Sequence, residues 1–545
     1  MPQLVLGPVL RYVDETDATI WVETDGPCEV EVLGCRSRTF HVGGHHYALV
    51  HVRGLSAGTS TAYEVALDGE RRWPEDGSPF PPSVIRTPSE DEPARIVFGS
   101  CRVCVPHEHP YTERKDTDDR GRETDALYAV AQRMIEEPEE RWPNRLLLLG
   151  DQVYADEVSP ATSAFIAARR DTSRPPGEQI ADFEEYTQLY LESWGDPVIR
   201  WLLSTLASAM LFDDHDVIDD WNTSESWLRD MRACDWWDDR ITGAFMSYWI
   251  YQHIGNLEPG HLHADEMYDA VCASDDATED LRRFARRADR ENEGTRWSFC
   301  RDYGGVRVMS IDSRAGRVLK DGRRAMVDDD EWEWICERLT GGHDHLVIAT
   351  TLPVFLGQAM HFLEAWNEAV CGGAWGGLAA RAGERMRRGV DLEHWAAFGE
   401  SFTRLIDRIA EVGAGRHGPP PATITILSGD VHHAYLTEVA FRREAGVQSH
   451  VWQAVCSPFR NPLDARERRM IRFGVSRTGH AIGRALARTA GVGDPDVRWR
   501  MVEGPWFDNQ VATLELHGRE GRMTLERTTP GEGAELHHCF TRELV

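Results

Sequence analysis

Six short apolar runs in this chain stop at or beside residues that can do chemistry. RIVFGS ends at Cys101, LLLLG at Asp151, and SAMLF at Asp213-Asp214-His215-Asp216. VRVMSI ends at Asp312-Ser313-Arg314, HLVIATT runs into Leu352-Pro353, and ATITILSG ends at Asp430-Val431-His432-His433. Runs this short and this apolar suit strands buried on both faces. In open α/β sheets, ligands bind beyond the carboxyl ends of the strands. Tyr154 follows Asp151 closely enough to turn back toward the same point. Five of the six runs deliver Cys, Asp or His where the strand stops, so the pattern predicts one shared site along one edge of a sheet.

Carboxylates, imidazoles, a phenol and a thiol cannot share a cleft unpaired, because like charges repel and burial penalises each ion. Bound cations resolve the conflict. Asp151 can bridge two metals, with Asp214 and Asp430 giving hard oxygen to one and His432 giving nitrogen to the other. Two ions about 3.5–4 Å apart clamp both oxygens of an in-line phosphoryl displacement and generate a bound hydroxide that attacks phosphorus. Cys101 and Tyr154 narrow the choice. Thiols and phenols ordinarily keep their protons to about pH 8.5 and 10, so as ligands they suit a strongly Lewis-acidic ion, Fe3+. The carboxylate half suits a hard divalent ion, Ca2+, Mn2+ or Mg2+.

The elements that must position these residues occupy most of a 545-residue chain, long enough for two or three domains. Residues 1–88 read as a small β-sandwich module, with VLRYV, TIWVET, EVEVL, TFHVG, YALVHV and TAYEVAL separated by glycine turns. A proline-rich linker, Pro74–Pro93, closes it. From Arg95 onward, strands alternate with helical stretches, the pattern of an α/β domain. Glu184–Thr205, Trp236–His253, Glu331–Leu339 and Leu392–Ile409 read as helices, and Asp265–Glu293 as a charged helical insert. Beyond about residue 462, Arg466–Ala490 reads as a basic helical pair and VATLELHGREGRMTLERTT as a closing hairpin, together a C-terminal extension of a catalytic domain over 89–545.

The net charge of −30 argues against non-specific binding to nucleic acid or to anionic membrane. No apolar run approaches the roughly 20 residues that span a bilayer, and the first residues lack the pattern of a signal peptide. The expected location is cytoplasmic. Eleven cysteines without regular spacing do not make a disulfide framework. Cys101-x-x-Cys104 with His107 and His109 offers a rival zinc reading, weakened because no second ligand pair stands elsewhere. Asp116–Gly121 opens like a calcium loop but puts Arg120 at a ligand position. His361 faces the cleft or is a core histidine. Arg314 pairs with Asp312 beneath the site or grips substrate oxygens. Of the adjacent His432 and His433, only one can face a given ion on an extended segment.

Gly99-Ser100-Cys101, Gly150-Asp151-x-x-Tyr154, Asp213-Asp214-His215-Asp216 and Gly429-Asp430-x-His432 resemble, in order and spacing, the alkaline phosphatase D (PhoD-like) family of the calcineurin-like metallophosphoesterases. The Gly-Asp-x-x-Tyr element is also similar to that of purple acid phosphatases, whose tyrosine binds ferric iron. The resemblance reaches from the N-terminal module, which stands where the family has a fibronectin-like domain, to about Pro462. It implies a four-layer α/β/β/α sandwich and a metal-dependent phosphoric ester hydrolase acting on small phosphate esters. It implies Fe3+ at Cys101, Asp151, Tyr154 and His432, and a second ion, Ca2+ foremost, shared by Asp151, Asp214 and Asp430. It gives His215 the general-acid role and chooses His432 over His433. Asp213 and Asp219 are further candidate ligands. Two departures stand out: Asp216 where the family usually has Glu, and Asp219-Asp220 where it has Asn-Asn. Phosphodiesterase or phospholipase-type activity, or a non-catalytic metal-binding scaffold, are the alternatives. The oligomeric state is not legible from sequence.

Overall fold

The leucine run is an interior strand of a sheet. In the computed structural model, which describes every residue except 90, 91, 292, 293 and 532, the strand Arg145–Leu149 is buried along its whole length. It pairs in parallel with Ala94–Gly99 on one side and Ala207–Leu211 on the other. Three antiparallel strands, Gln510–His517, Glu520–Arg527 and His537–Glu543, extend this to a six-stranded sheet. A second, seven-stranded sheet runs Phe299–Tyr303, Val306–Ser310, His345–Ala349, Thr423–Ser428, His450–Val455, Ala434–Phe441 and Val497–Trp506.

Side chains alternate across each strand, and the alternation divides the core. Leu147 and Leu149 join Ile96, Phe98, Val347, Leu427 and Leu514 in a buried layer shared by the two sheets. Leu146 and Leu148 instead share a layer with Leu127 and Val130 of the helix Ala126–Glu136 and with Leu202 and Leu203 of Pro197–Thr205. On the other sheet, Ile348, Ile424 and Ile426 are clustered with Ile335 of Asp329–Arg338 and Leu405 of Gly399–Gly413. The result is the α/β/β/α sandwich expected. The parallel strands deliver their carboxyl ends to one edge of it.

The first 73 residues form two four-stranded sheets around Leu10, Ile20, Val30, Val50 and Leu67. The expected linker is partly folded: Val84–Arg86 pairs with Ser60–Ala62, because Val84 and Ile85 are buried apolar residues that an open linker would expose. The module is welded to the rest. Trp21 and Tyr47 pack against Tyr251, and Trp21 against Trp194. Arg11 is fully buried and donates to the carbonyls of Tyr251 and Gln252.

Three helical expectations are redrawn. Glu184–Thr205 is two helices, Phe183–Gly195 and Pro197–Thr205, divided at Asp196, whose side chain caps the second. The charged insert is two helices, Glu266–Ala273 and Thr278–Arg290, and its expected end at Glu293 lies outside the described residues. Leu392–Ile409 is helical only from Gly399, apart from a 3-10 turn at Trp395–Ala397. Residues 392–398 are buried, and Arg317 holds the Glu393 carbonyl at 2.9 Å. The closing hairpin exists as read, but it is not peripheral: pairing with Ala94–Gly99 makes it part of the central sheet. No described helix is long and apolar enough to cross a membrane, and all eleven cysteines are free thiols.

Candidate metal centre

Three strands of the site, those ending before Cys101, Asp151 and Asp430, leave their sheet through a turn few side chains tolerate. Cys101, Asp151, Asp430 and His432 have φ of 55°, 49°, 65° and 51°. Left-handed backbone at non-glycine residues costs of the order of 1–3 kcal/mol each and persists where the surroundings over-determine it. Here it swings four side chains back over the strand ends. Gly150, at φ 112°, has no room for a side chain: a Cβ there would stand 2.5 Å from Asp213 Oδ2. Ser100 ties the two sheets together, its hydroxyl accepting from the Asp430 amide at 2.9 Å.

Two groups of donor atoms meet at Asp151. Cys101, Asp151 and His432 offer one ligand atom each within 4.8 Å of one another, and so do Asp151, Asp213 and Asp214. Tyr154 joins the first group, its hydroxyl donating to Asp151 Oδ2 at 3.4 Å. Asn461 sets two of these donors. Its side-chain amide donates to the Tyr154 oxygen at 3.2 Å, and its carbonyl stands 3.0 Å from His432 Nδ1, which leaves Nε2 available as the ligand nitrogen. His215, Asp214 and Asp219 form a third group of the same size.

Beneath the carboxylates lies one fully buried cation. Arg314 reaches Asp213, Asp214 and Asp430, the latter two at 3.2 Å, and also Glu393. Arg317 stands 3.1 Å from Glu393 on its other side. The side-chain partners of Arg314 are therefore the candidate ligands and Glu393, and not Asp312. Asp312 accepts backbone N–H groups of Arg314, Ala315 and Gly316. His394 Nε2 stands 3.3 Å from Asp430 Oδ2, and its Nδ1 2.7 Å from Glu364 Oε1. Burial alone would raise Asp430; His394 and Arg314 hold it well below the usual carboxylate range instead.

The remaining charges are compensated only in part. Asp151 Oδ1 and Asp213 Oδ2 are buried and accept no hydrogen bond among the described residues, and Asp214 Oδ1 has only its ion pair with Arg314. Burial, then neighbouring carboxylates against the pull of Arg314, pushes Asp213 and Asp214 well above their ordinary range. Burial and the charge of Asp151 do the same to the Cys101 thiol and, with Cys101, to the Tyr154 phenol. Burial lowers His432 to about 4, keeping its ring neutral and free to ligate. Carboxylates whose charge burial disfavours, gathered beside an imidazole whose charged form burial also disfavours, make a setting that a bound cation would relieve. The donor set fits a dinuclear centre.

His215 lies beside the ligands, in one donor group with Asp214 and Asp219. Its Nδ1 is 3.0 Å from both oxygens of Asp156, and its ring lies 4.5 Å from that of Tyr154. Burial alone would lower it, yet Asp156, then Asp214 and Asp151, raise it well above the ordinary histidine value. Asp216 points away, accepting from the amides of Val153 and Asp213 at 3.2 and 3.0 Å, so it braces two of the turns. Asp219 is exposed, its carboxylate 3.8 Å from His215 Nε2.

Other candidates lie elsewhere. His361 packs on Phe402 and Trp499, is pushed to about 4 by burial, and belongs to none of the three donor groups. His433 turns its Nδ1 to the Val431 carbonyl and stacks on Tyr435 and Phe507. Cys104 contacts the Glu192 carbonyl and His107 stacks on Tyr128, so the zinc reading gathers no ligand set among the described residues. The sequence reading missed Asp156, Glu364, Glu393, His394 and Asn461. Only Asp156 carried a signal, two residues past Tyr154; Glu393 and His394 were hidden inside a presumed helix.

The PhoD-like phosphatase family matches residues 123–490, and a domain of unknown function, DUF7800, matches residues 1–85. Among curated proteins, none matches the chain. The solved structure of PhoD is similar at a TM-score of 0.59 and 11% identity, over 99% of this chain and 90% of that one. The structure of purple acid phosphatase PPD1 from yellow lupin (Lupinus luteus) seeds is similar at a TM-score of 0.46 and 10% identity, over 98% of this chain and 73% of that one. The likeness to PhoD shows a shared fold.

Proposed function

Because the chain belongs to the PhoD-like phosphatase family, and is thus a metal-dependent phosphoric ester hydrolase, we propose that it works through two cations sharing Asp151, with His215 as general acid. The observation that carries this is the meeting of two donor groups at one buried carboxylate. Cys101, Asp151, Tyr154 and His432 would hold Fe3+, the ion best matched to a thiolate and a phenolate. Asp151, Asp214 and Asp430 would hold a hard divalent ion, Ca2+ foremost; Asp213 shares the donor group of Asp151 and Asp214, and Asp430 stands with Asp214 on Arg314. When bound, the pair would neutralise the carboxylates, draw charge from the phosphoryl oxygens and lower the proton affinity of the attacking water.

The chain's own residues do the rest. Asp156 fixes the His215 ring and favours its protonated form, so that Nε2 can give a proton to the departing ester oxygen. Arg314 spreads its charge over four carboxylates and keeps them from springing apart. Glu364, through His394, aims Asp430. Phosphomonoesters and phosphodiesters both meet these requirements.

Metal analysis of protein purified without chelators, paired with p-nitrophenyl phosphate and bis-p-nitrophenyl phosphate assays, tests the proposal. Iron with a divalent ion, and a visible charge-transfer band lost in Tyr154→Phe, is the expected result, and the preferred ester assigns the reaction class. Zinc alone would overturn the iron assignment. Bound metal with neither ester cleaved would favour the scaffold reading.

A further inference from the structure

The net charge of −30 hides a local reversal. Residues 465–489 carry seven arginines against one glutamate, on two helices, Ala465–Gly474 and Arg477–Thr489, joined by a short turn. Among the described residues no carboxylate stands within ion-pair distance of Arg466, Arg468, Arg469, Arg472 or Arg477; Asp494 pairs with Arg484 and Arg488 alone. Arg472 lies over the Phe507 ring and Arg468 is half-buried and donates to the Leu463 carbonyl, but Arg466, Arg469 and Arg477 are exposed; in so acidic a protein, five arginines without a carboxylate partner on one hairpin need a reason.

The same hairpin exposes large apolar side chains. Met470 is 61% exposed, Phe473 53% and Ile482 56%. The first helix buries none of its residues. Met470 and Phe473 are three apart and so share a face, each with an arginine four residues before it, Arg466 and Arg469. The second helix does have a packed side: Gly479, Gly483 and Ala487 are buried, and Ala359 lies against the two glycines. Its Ile482 is left outside. Beside it, Trp375 donates from its indole to the Thr489 carbonyl, and Leu378 is 83% exposed. Among the described residues, seven of the eleven exposed large apolar side chains lie on 360–390 and 465–489, so the patch is local and not scattered.

We propose that this hairpin is an interfacial surface that docks on an anionic lipid bilayer. Arginines interleaved with protruding aliphatic and aromatic side chains match the two terms of interfacial binding, attraction to anionic headgroups and burial of apolar side chains at the acyl boundary. Nucleic acid would match the arginines but not the exposed Met, Ile and Leu, which offer no stacking surface for bases. A lipid plane also explains why this hairpin is net positive while the chain as a whole is acidic: the acidic faces are repelled and orient the protein. The docked edge is joined to the metal centre through Asn461, which stands three residues before the Asp464 cap of the first helix. Docking would set that centre beside phosphate esters at the membrane surface.

Flotation of the full-length protein with vesicles tests this. Phosphatidylcholine vesicles containing about one-third phosphatidylglycerol should carry the protein at low salt and release it as salt screens the charge; pure phosphatidylcholine should not carry it. Arg466→Ala/Arg469→Ala/Arg477→Ala should weaken binding by more than tenfold, each arginine near an anionic surface contributing roughly fivefold. Met470→Ser/Phe473→Ser should weaken it at salt concentrations where the arginine variant is already released. Circular dichroism and thermal melting of both variants should match the parent, because the side chains replaced are exposed. No flotation with anionic vesicles at low salt, equal flotation with both vesicle types, or binding unchanged in both variants would overturn the proposal. Binding to duplex DNA without binding to vesicles would also overturn it and reassign the patch to nucleic acid.

Discussion

Replacing Asp156 by Asn tests whether His215 works as an acid held in place. The change keeps the shape of the side chain and removes its charge. In the structure, both Asp156 oxygens stand 3.0 Å from His215 Nδ1, one of them also accepts from the Asp219 amide at 2.7 Å, and the residue is largely buried. A hydrogen bond to a charged group is worth about 1.5–3 kcal/mol. At about 1.4 kcal/mol for each factor of ten, losing it in the transition state lowers kcat by roughly 10- to 150-fold. The loss should depend on the leaving group. An alkyl alcohol leaves only if protonated, whereas p-nitrophenol leaves as an anion near neutral pH. Steady-state kinetics on an alkyl phosphate and on p-nitrophenyl phosphate should therefore show the full loss on the first and a small one on the second. His215→Ala should exaggerate the same contrast, within the range of about 10²–10⁴ for general acids. Metal content should be unchanged in Asp156→Asn. An equal loss on both esters, or a loss that tracks missing metal, would refute the reasoning and make Asp156 a brace for the site as a whole.

Three further outcomes follow from the geometry. His394→Ala frees Asp430 from its imidazole partner and should weaken binding of the divalent ion by roughly 10- to 100-fold, the usual effect of losing an outer-shell partner, read by metal titration of the apoprotein; Glu364→Gln should do the same to a smaller extent. Arg314→Met leaves Asp213, Asp214, Asp430 and Glu393 around an empty centre. Breaking a buried ion cluster this way costs about 3–5 kcal/mol, so the metal-free variant should melt well below the parent, and added divalent ion should recover part of the difference. His45 links the N-terminal sheet to the helix Phe183–Gly195, its ring nitrogens 2.8 Å from Glu23 and 2.9 Å from Glu184. Burial lowers it, but the two carboxylates raise it overall to about 9. A raised histidine stabilises the fold fully below its unfolded value of about 6.5 and loses that contribution as pH rises to about 9. Thermal melts of the parent and His45→Gln should differ most at pH 6 and converge above pH 9; a difference that grows with pH would contradict the assignment.

What the sequence disclosed and what it hid have separate physical origins. A strand buried on both faces must be apolar, so Leu146–Leu149 and its five counterparts announce themselves, and the residues at their ends come with them. The same logic made the hairpin at 510–527 visible as strands. It could not say that these strands pair with Ala94–Gly99, because pairing across four hundred residues leaves no local pattern. Leu392–Ile409 misled for the opposite reason. Its apolar spacing is genuine, but residues 392–398 are held in a non-helical path by Arg317 on the Glu393 carbonyl and by His394 between Glu364 and Asp430. Those contacts are tertiary, so helical periodicity over-ruled them in the sequence and lost to them in the fold.

The left-handed turns at Cys101, Asp151, Asp430 and His432 sharpen the point. Aspartate and histidine adopt positive φ more readily than most residues, but cysteine does not, and none of them signals it as glycine does. Stability alone would favour glycine at all four. That a thiol, two carboxylates and an imidazole stand there instead, each at a conformational cost, means the side chains are wanted more than the relaxed backbone. Charge says the same: Arg314 is one cation among four carboxylates, and ligand atoms of Asp151, Asp213 and Asp214 lie within 4.8 Å of one another. Strain and uncompensated charge at one edge of an otherwise regular sandwich are separate costs, and cations at that edge relieve the second directly and tolerate the first.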